Sequence, residues 1–172
     1  MNQSKCMNNI RLFLTDVDGC MTDGGMYYSA NGDELKRFCV YDGMGIVQLR
    51  KAGIRCGILT SETTDIVASR ARKLCMDYLY MGVGRQIDDV TQTKLEVAEQ
   101  ICQEMGITLA EVCFVGDDIN DIDLLSAVGV AACPSNAIQQ VKDIPGIIHL
   151  TKQGGDGAIR EIAERILSAQ QR

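Results

Sequence analysis

The sequence has one histidine, His149, and no tryptophan among its 172 residues. A lone imidazole cannot build a multi-histidine metal centre, and its place in the apolar stretch VKDIPGIIHLT reads as a strand residue rather than the base of a Ser-His-Asp triad. The eight cysteines include no C-x-x-C pair, which counts against a thiolate zinc site or a dithiol redox centre. They are spread singly, most of them in apolar segments (Cys39, Cys56, Cys75, Cys102, Cys113 and Cys133), and are expected to be reduced core residues. No apolar run reaches the roughly 18 residues that a membrane span needs. The start MNQSKCMNNIR lacks the apolar stretch and cleavage site of a signal peptide, so the expectation is a cytoplasmic protein without a membrane partner. Positive charge is the scarcer sign, with 17 Lys and Arg against 23 Asp and Glu and a net charge of -6. That balance disfavours a nucleic-acid surface. A small phosphorylated molecule can still bind if a metal or a placed lysine or arginine supplies local positive charge. Prolines number two, Pro134 and Pro145, and no repeat or low-complexity linker divides the chain, which predicts one domain over residues 1–172.

Apolar runs bounded by turn residues alternate with amphipathic stretches, the pattern of repeated β-α units and a doubly wound, mainly parallel α/β sheet. Strands are expected at Ile10–Thr15, Arg55–Thr60, Tyr78–Met81, Val112–Val115, Val130–Ala132 and Ile147–Leu150. Helices are expected at Met44–Lys51, Thr64–Leu74, Val90–Met105, Asp121–Val128 and Ala158–Ser168, with Gly53, Gly106 and Gly129 as C-caps. The segment MYYSANGDELKRFCV interrupts the alternation. Its two strand-like runs flank Asn31-Gly32 and predict a β-hairpin over about residues 26–40, projecting from the first β-α connection.

The first strand runs into Asp16-Val17-Asp18-Gly19, and residues two apart on an extended chain project to the same side. A second acidic group, Gly116-Asp117-Asp118-Ile119-Asn120-Asp121, follows another strand and is expected on the same carboxyl rim of the sheet, where open α/β folds place their sites. Carboxylates gathered in one pocket repel each other unless a divalent cation binds or protons are taken up. Oxygen donors without histidine or cysteine favour magnesium. A calcium loop is excluded by register, since counting from Asp16 puts Met21 and Tyr27 where glycine and glutamate are required. Thr60 and Ser61 end the strand RCGILT and offer hydroxyls on that rim. Lys94 opens the helix KLEVAEQI.

These motifs resemble the haloacid dehalogenase superfamily over nearly everything from Ile10 to the last helix. DVDGCMTDGG is similar to its first motif, Thr60 to its second, Lys94 to its third and GDDINDIDLL to its fourth. The shorter DGMGI (Asp42 to Ile46) and GGDGAIRE (Gly154 to Glu161) resemble the capless 3-deoxy-D-manno-octulosonate (KDO) 8-phosphate phosphatase subfamily, which includes phosphatases for KDN and sialic acid 9-phosphates. The resemblance implies that Asp16 attacks phosphorus while Asp18 protonates the leaving alkoxide and then activates water against the aspartyl-phosphate. It implies magnesium held by Asp16, the backbone carbonyl of Asp18 and Asp117, with Asp118 or Asp121 supporting. Thr60 and Lys94 would balance charge on the phosphoryl oxygens.

The spacings from Asp18 to Thr60 and from Thr60 to Lys94 leave no room for a cap domain. In the subfamily a neighbouring subunit completes the pocket, so the expectation is a homotetramer with the Tyr27 to Cys39 hairpin at the interface. Ser61-Glu62 replaces the Gly-Arg that usually follows the second-motif threonine in octulosonate phosphatases, closer to the Gly-Glu of the nine-carbon enzymes. Ser61, Glu62, Arg70 and Lys73 are candidate contacts to the sugar acid. The loop GVGRQIDDVTQT before Lys94 is longer than the family usually shows and offers Arg85 as an alternative cation. Two other classes compete: a non-catalytic oligomerisation domain, like that fused to some CMP-sialate synthetases, and a receiver-type phospho-acceptor. The latter carries its accepting aspartate after a middle strand, not after the first.

Overall fold

The computed structural model describes residues 7–32, 34–84 and 92–171. In chain order it contains β1 (Leu12–Thr15), β2 (Tyr27–Tyr28), β3 (Glu34–Leu35), α1 (Val40–Lys51) and β4 (Arg55–Thr60). There follow α2 (Asp65–Leu74), β5 (Tyr78–Met81), α3 (Lys94–Met105), β6 (Val112–Val115) and α4 (Ile122–Ala127). The last elements are β7 (Val130–Cys133), α5 (Gln139–Lys142), β8 (Ile148–His149) and α6 (Ala158–Gln170). Six strands form one parallel sheet in the order β5-β4-β1-β6-β7-β8. The chain turns back on either side of β1, so the carboxyl ends of β1, β4 and β6 frame the crevice where such sheets bind ligands.

Side chains alternate along each strand, so the sheet feeds two cores. Phe13, Cys56, Ile58, Cys113 and Val115 pack with Ile46 and Leu49 of α1, Val67 and Ala71 of α2, and Ile159 and Ile162 of α6. Leu12, Leu14, Leu59 and Phe114 pack on the other face with Val97 and Ile101 of α3 and Leu124 of α4. This is the doubly wound α/β fold that the alternating pattern predicts. Among the described residues, the connection from β1 to α1 carries only the β2-β3 ribbon, with no cap domain.

The ribbon pairs Tyr27 with Leu35 and Tyr28 with Glu34, so its connection is longer than the two-residue turn expected at Asn31-Gly32. A bridge between Thr22 and Phe38 ties its base to the first loop. Helix α1 begins at Val40 rather than Met44. Its first turn has no apolar periodicity to read, because Val40 and Tyr41 face outward. The single turn α5 escapes sequence reading for the same reason, with Val141 its one buried residue. Gly106 caps α3 in a left-handed conformation and Gly53 follows α1 with φ +86°. Gly129 is no such cap; a Cβ there would meet the Ala110 carbonyl oxygen at 2.0 Å, so close packing requires it. Cys39 is only half-buried and Cys75 is exposed, while Cys20, Cys56, Cys102, Cys113 and Cys133 are the expected buried free thiols. His149 lies in β8 as expected, its Nε2 3.1 Å from the Lys142 carbonyl oxygen.

The DGMGI and GGDGAIRE signatures meet in a packing contact. Asp42, buried in the first turn of α1, accepts the Arg160 N–H at 2.9 Å on Oδ1 and the Gly157 N–H at 3.3 Å on Oδ2. These N–H groups are among the unpaired donors at the start of α6, so Asp42 caps that helix from a distant part of the chain. Gly45 lets the two helices approach, since a Cβ there would lie 3.0 Å from the Arg160 Cα. Asp42→Ala is expected to lower stability by about 1–3 kcal/mol, the usual cost of leaving buried donors unpaired; a shift in the urea midpoint at unchanged slope checks it.

Candidate active site

The carboxyl end of β1 continues into Asp16, whose N–H still reaches the Val115 carbonyl at 2.9 Å, so the sheet ladder fixes where its side chain starts. Asp117 follows β6, the neighbouring strand. Ligand atoms of Asp16, Asp117 and Asp121 all lie within 4.8 Å of one another. The two acidic loops therefore meet. Gly19 makes the approach possible: its φ is +82°, and a Cβ there would fall 2.0 Å from Asp117 Oδ2.

Lys94 is the cation at this junction. Its Nζ lies 2.7 Å from Asp121 Oδ1 and 3.1 Å from Asp16 Oδ1. At 1 % exposure it is no solvated helix charge. A capping box sets the start of α3, with Thr93 Oγ1 accepting the Glu96 N–H at 3.2 Å and the Glu96 carboxylate accepting the Thr93 N–H at 2.8 Å. That reciprocal pair fixes the first helical residue, and the first helical residue is Lys94. The helix is expected from Val90 and begins at Lys94; positions 90 and 91, like Arg85, lie outside the described residues. Asp121 is fully engaged, because its Oδ2 accepts the N–H groups of Asp117 at 2.9 Å and Asp118 at 3.2 Å. It organises the second loop around itself. Asp118 is exposed and its Oδ1 accepts the Ile119 N–H at 2.7 Å, which caps the short turn before α4.

The charge is not balanced by one lysine. Burial raises the Asp16 carboxyl well above the carboxylate range, Lys94 opposes this, and Asp121 adds to it. Burial pushes Asp117 up to about 8, with the charges of Asp16 and Asp121 reinforcing it. Burial works against the Lys94 ammonium, but Asp16 and Asp121 outweigh that and hold it protonated. Cys20 donates its thiol to Asp117 Oδ1 at 3.4 Å, and burial followed by the nearby carboxylates keeps it a thiol. A cluster of hard oxygen donors with unneutralised negative charge fits a small divalent cation. Asp16 and Asp117 present the carboxylates not already committed to capping.

Thr60 ends β4, the other neighbour of β1, and is 1 % exposed. Its Oγ1 accepts the Glu62 N–H at 3.2 Å, leaving its own proton for an incoming anion. Ser61 donates to the Val83 carbonyl at 2.9 Å and accepts from Asn120 at 2.9 Å, which joins this loop to the second acidic loop. Glu62 is half-buried beside it. Arg70 is held elsewhere: Nη2 donates to the Cys39 carbonyl at 3.1 Å, and the guanidinium sits 5.2 Å from the Phe38 ring centroid. Lys73 is exposed in the last turn of α2, the end of the helix farther from β4's carboxyl end.

The Asp18 carboxylate is not one of the three clustered carboxylates. Its Oδ1 accepts Lys36 Nζ at 2.8 Å and Thr22 Oγ1 at 3.1 Å. Sequence reasoning passed over Lys36 because a lysine in an exposed ribbon carries no local mark of burial. It also passed over Asn136, which donates to the Gly19 carbonyl at 2.9 Å and accepts the Gly154 N–H at 2.7 Å, clamping the glycine-rich loop against the first acidic loop.

A carboxyl raised above its unfolded value binds more protons in the fold than in the unfolded chain. Its effect favours the fold below the raised value and fades as pH rises through it. In chelator, Asp117→Asn is therefore expected to melt higher than the parent at pH 8.5, with the advantage shrinking at pH 6. At about 2–4 °C per kcal/mol, the difference is within reach of calorimetry. Magnesium should raise the parent's midpoint, more at pH 8.5 than at pH 6 because protons compete for its ligands, and should not raise that of the variant.

A haloacid dehalogenase-like hydrolase model matches residues 40–129. The chain is 33% identical to the 3-deoxy-D-manno-octulosonate 8-phosphate phosphatase of Haemophilus influenzae over 168 residues, covering 95% of this chain and 86% of that protein. It is 34% identical to the enzyme of that name from Escherichia coli K12, covering 94% and 81%. The solved 3-deoxy-D-manno-octulosonate 8-phosphate phosphatase from Moraxella catarrhalis, in complex with magnesium ion, phosphate ion and KDO, superposes with a TM-score of 0.90 at 31% identity over 98% of this chain and 92% of that one. The cobalt-bound phosphatase from Haemophilus influenzae superposes with a TM-score of 0.87 at 31% identity over 96% and 92%. With the fold, the rim and the near full-length relatives in agreement, the chain belongs to the haloacid dehalogenase-like hydrolases and is a phosphoric monoester hydrolase.

Proposed function

We propose that this hydrolase is magnesium-dependent and removes the terminal phosphate of a 2-keto-3-deoxy sugar acid through an aspartyl-phosphate on Asp16. The observation that carries the reading is the Lys94 ammonium, 3.1 Å from Asp16 and 2.7 Å from Asp121, beside a third carboxylate, Asp117. An anionic phosphoryl group can approach an anionic nucleophile only where positive charge is already fixed. Magnesium, held by Asp16, the Asp18 backbone carbonyl and Asp117 with Asp118 or Asp121 in support, would supply further charge neutralisation. Asp121 fits the supporting role because both its oxygens are occupied.

In this reading an Asp16 oxygen attacks phosphorus, the bond from phosphorus to the sugar oxygen breaks, and Asp18 gives the departing oxygen its proton. Asp18, now a carboxylate, takes a proton from water as that water attacks the phosphorus and releases Asp16. Lys94 and the Thr60 hydroxyl hold the phosphoryl oxygens during both displacements. The eight-carbon acid is the first candidate substrate, supported by the names of the relatives from Haemophilus, Escherichia and Moraxella. The nine-carbon KDN and sialic acid 9-phosphates remain the second, on the strength of Glu62 beside Thr60; Lys73, at the far end of α2, adds no support. Ser61 and Glu62 stand beside Thr60 and would meet the sugar acid first, whereas the Arg70 guanidinium is engaged with Cys39 and Phe38.

The chain is further proposed to act as a homotetramer. Tyr27 and its cross-strand partner Leu35 are 45% and 64% exposed on one face of the ribbon, Tyr28 is 64% exposed on the other, and Met26 beside them is 48% exposed. Apolar groups gathered on a projecting element are suited to a neighbouring subunit. No helix among the described residues is long and apolar enough to cross a membrane.

Phosphate release from a panel of sugar-acid phosphates, with magnesium or with chelator, tests the reading. Turnover of KDO 8-phosphate in magnesium, its loss in chelator, and a fall of at least about 10³-fold in Asp16→Asn are expected, the scale on which removal of a covalent nucleophile acts. Turnover that survives Asp16→Asn would remove the covalent mechanism, and no turnover on any substrate would favour the non-catalytic oligomerisation reading.

A further inference from the structure

The two oxygens of Asp18 have different surroundings. Oδ1 accepts the Lys36 ammonium at 2.8 Å and the Thr22 hydroxyl at 3.1 Å. Oδ2 is buried and has no hydrogen-bond partner. Lys36 comes from the end of the β2-β3 ribbon, and its side chain is fully covered although its backbone stays partly exposed. Glu34, two residues earlier on the same edge, holds the ammonium from the other side at 3.1 Å. A lysine on an exposed ribbon ordinarily extends into water. This one is turned inward and held between two carboxylates.

A carboxylate that rotates freely offers either oxygen to a substrate, and half of its orientations are unproductive. Two donors on one oxygen remove that freedom. A buried carboxylate oxygen without a partner is costly and uncommon, so the contacts on Oδ1 are what hold this carboxyl in place.

We propose that Lys36 is a positioning residue which, with Thr22, fixes the Asp18 carboxyl in the one orientation from which it passes its proton to the leaving sugar oxygen. The assignment rests on Asp18 being the acid of the proposed phosphatase reaction. In the step it serves, the Asp18 carboxyl bears the proton, the phosphorus–oxygen bond breaks with its electron pair going to the sugar oxygen, and that oxygen takes the proton from Asp18. The ribbon therefore sets the orientation of the proton donor as well as carrying the exposed apolar surface.

The test compares leaving groups. An alkyl phosphate such as KDO 8-phosphate expels a basic alkoxide and needs the acid, whereas p-nitrophenyl phosphate expels a weakly basic phenolate and does not. kcat/KM reports the chemistry up to departure of the alcohol, so it isolates this proton transfer from the later attack of water. Lys36→Met is expected to lower kcat/KM for the alkyl phosphate by about 10²-fold, at the lower end of what a positioned general acid supplies. The fall on p-nitrophenyl phosphate should be at least tenfold smaller, and Lys36→Arg should recover part of the alkyl activity. Equal losses on both substrates would overturn the assignment, as would an unchanged ratio in a variant that melts like the parent. If Lys36→Met fails to fold, the same comparison in Lys36→Arg and Thr22→Val decides it, with an unchanged ratio in both counting against it. Loss of p-nitrophenyl phosphate turnover in Asp16→Asn shows separately that the phosphatase reading stands, so the two claims fail independently.

Discussion

Three carboxylates with ligand atoms inside 4.8 Å set the terms for everything around them. If all three are ionised, two unit charges at that spacing repel by roughly 3 kcal/mol at an effective dielectric constant of about 20, and three make three such pairs; the raised Asp16 and Asp117 carboxyls are the response to burial and to that repulsion. Lys94 contacts two of the three carboxylates, Asp16 and Asp121. Asp117 is left facing its neighbours with a thiol as its side-chain donor. The fold thus holds an arrangement that its own residues do not neutralise, which is the condition for holding a dication and, with it, a phosphoryl group.

The surrounding structure keeps the cluster from spreading. Asp16 is fixed by the sheet through Val115, and Asp117 is admitted by the missing side chain of Gly19. The two backbone donors on Asp121 tighten the second loop, and the capping box of Thr93 and Glu96 aims Lys94 inward. Each of these contacts is modest. Their common effect is to replace side-chain freedom by fixed geometry before any ligand arrives, which is where much of the electrostatic advantage of such sites lies. Asp18 follows the same logic by different means, being held by a lysine brought in on a ribbon.

The parts legible in the sequence are those in which short-range pattern and position coincide. Asp16 and Asp117 each come directly after an apolar run, so the carboxyl rim of a parallel sheet was readable without coordinates. Lys94 was readable from its place at the head of KLEVAEQI, although the expected helix started at Val90. Asp42 was visible as part of a signature, but its task of capping α6 depends on a contact spanning more than one hundred residues, which no local pattern encodes. Asn136 was hidden for the same reason, and Lys36 because a lysine in an exposed ribbon carries no local mark of burial. The first turn of α1 and the whole of α5 lack buried apolar spacing, and Gly129 resembles a helix stop although its true neighbour is the Ala110 carbonyl. Arg70 looked like a substrate contact from its position after the second motif, yet the fold occupies it with Phe38 and Cys39.

A crystal structure of the chain grown with magnesium and beryllium trifluoride, a mimic of an acyl phosphate, tests the central claim most directly. The account predicts beryllium bonded to an Asp16 carboxylate oxygen and magnesium about 2.1 Å from oxygens of Asp16 and Asp117, with Lys94 and Thr60 on the fluorines. Beryllium bonded to another residue, or a magnesium ion bound away from Asp16 and Asp117, would contradict it.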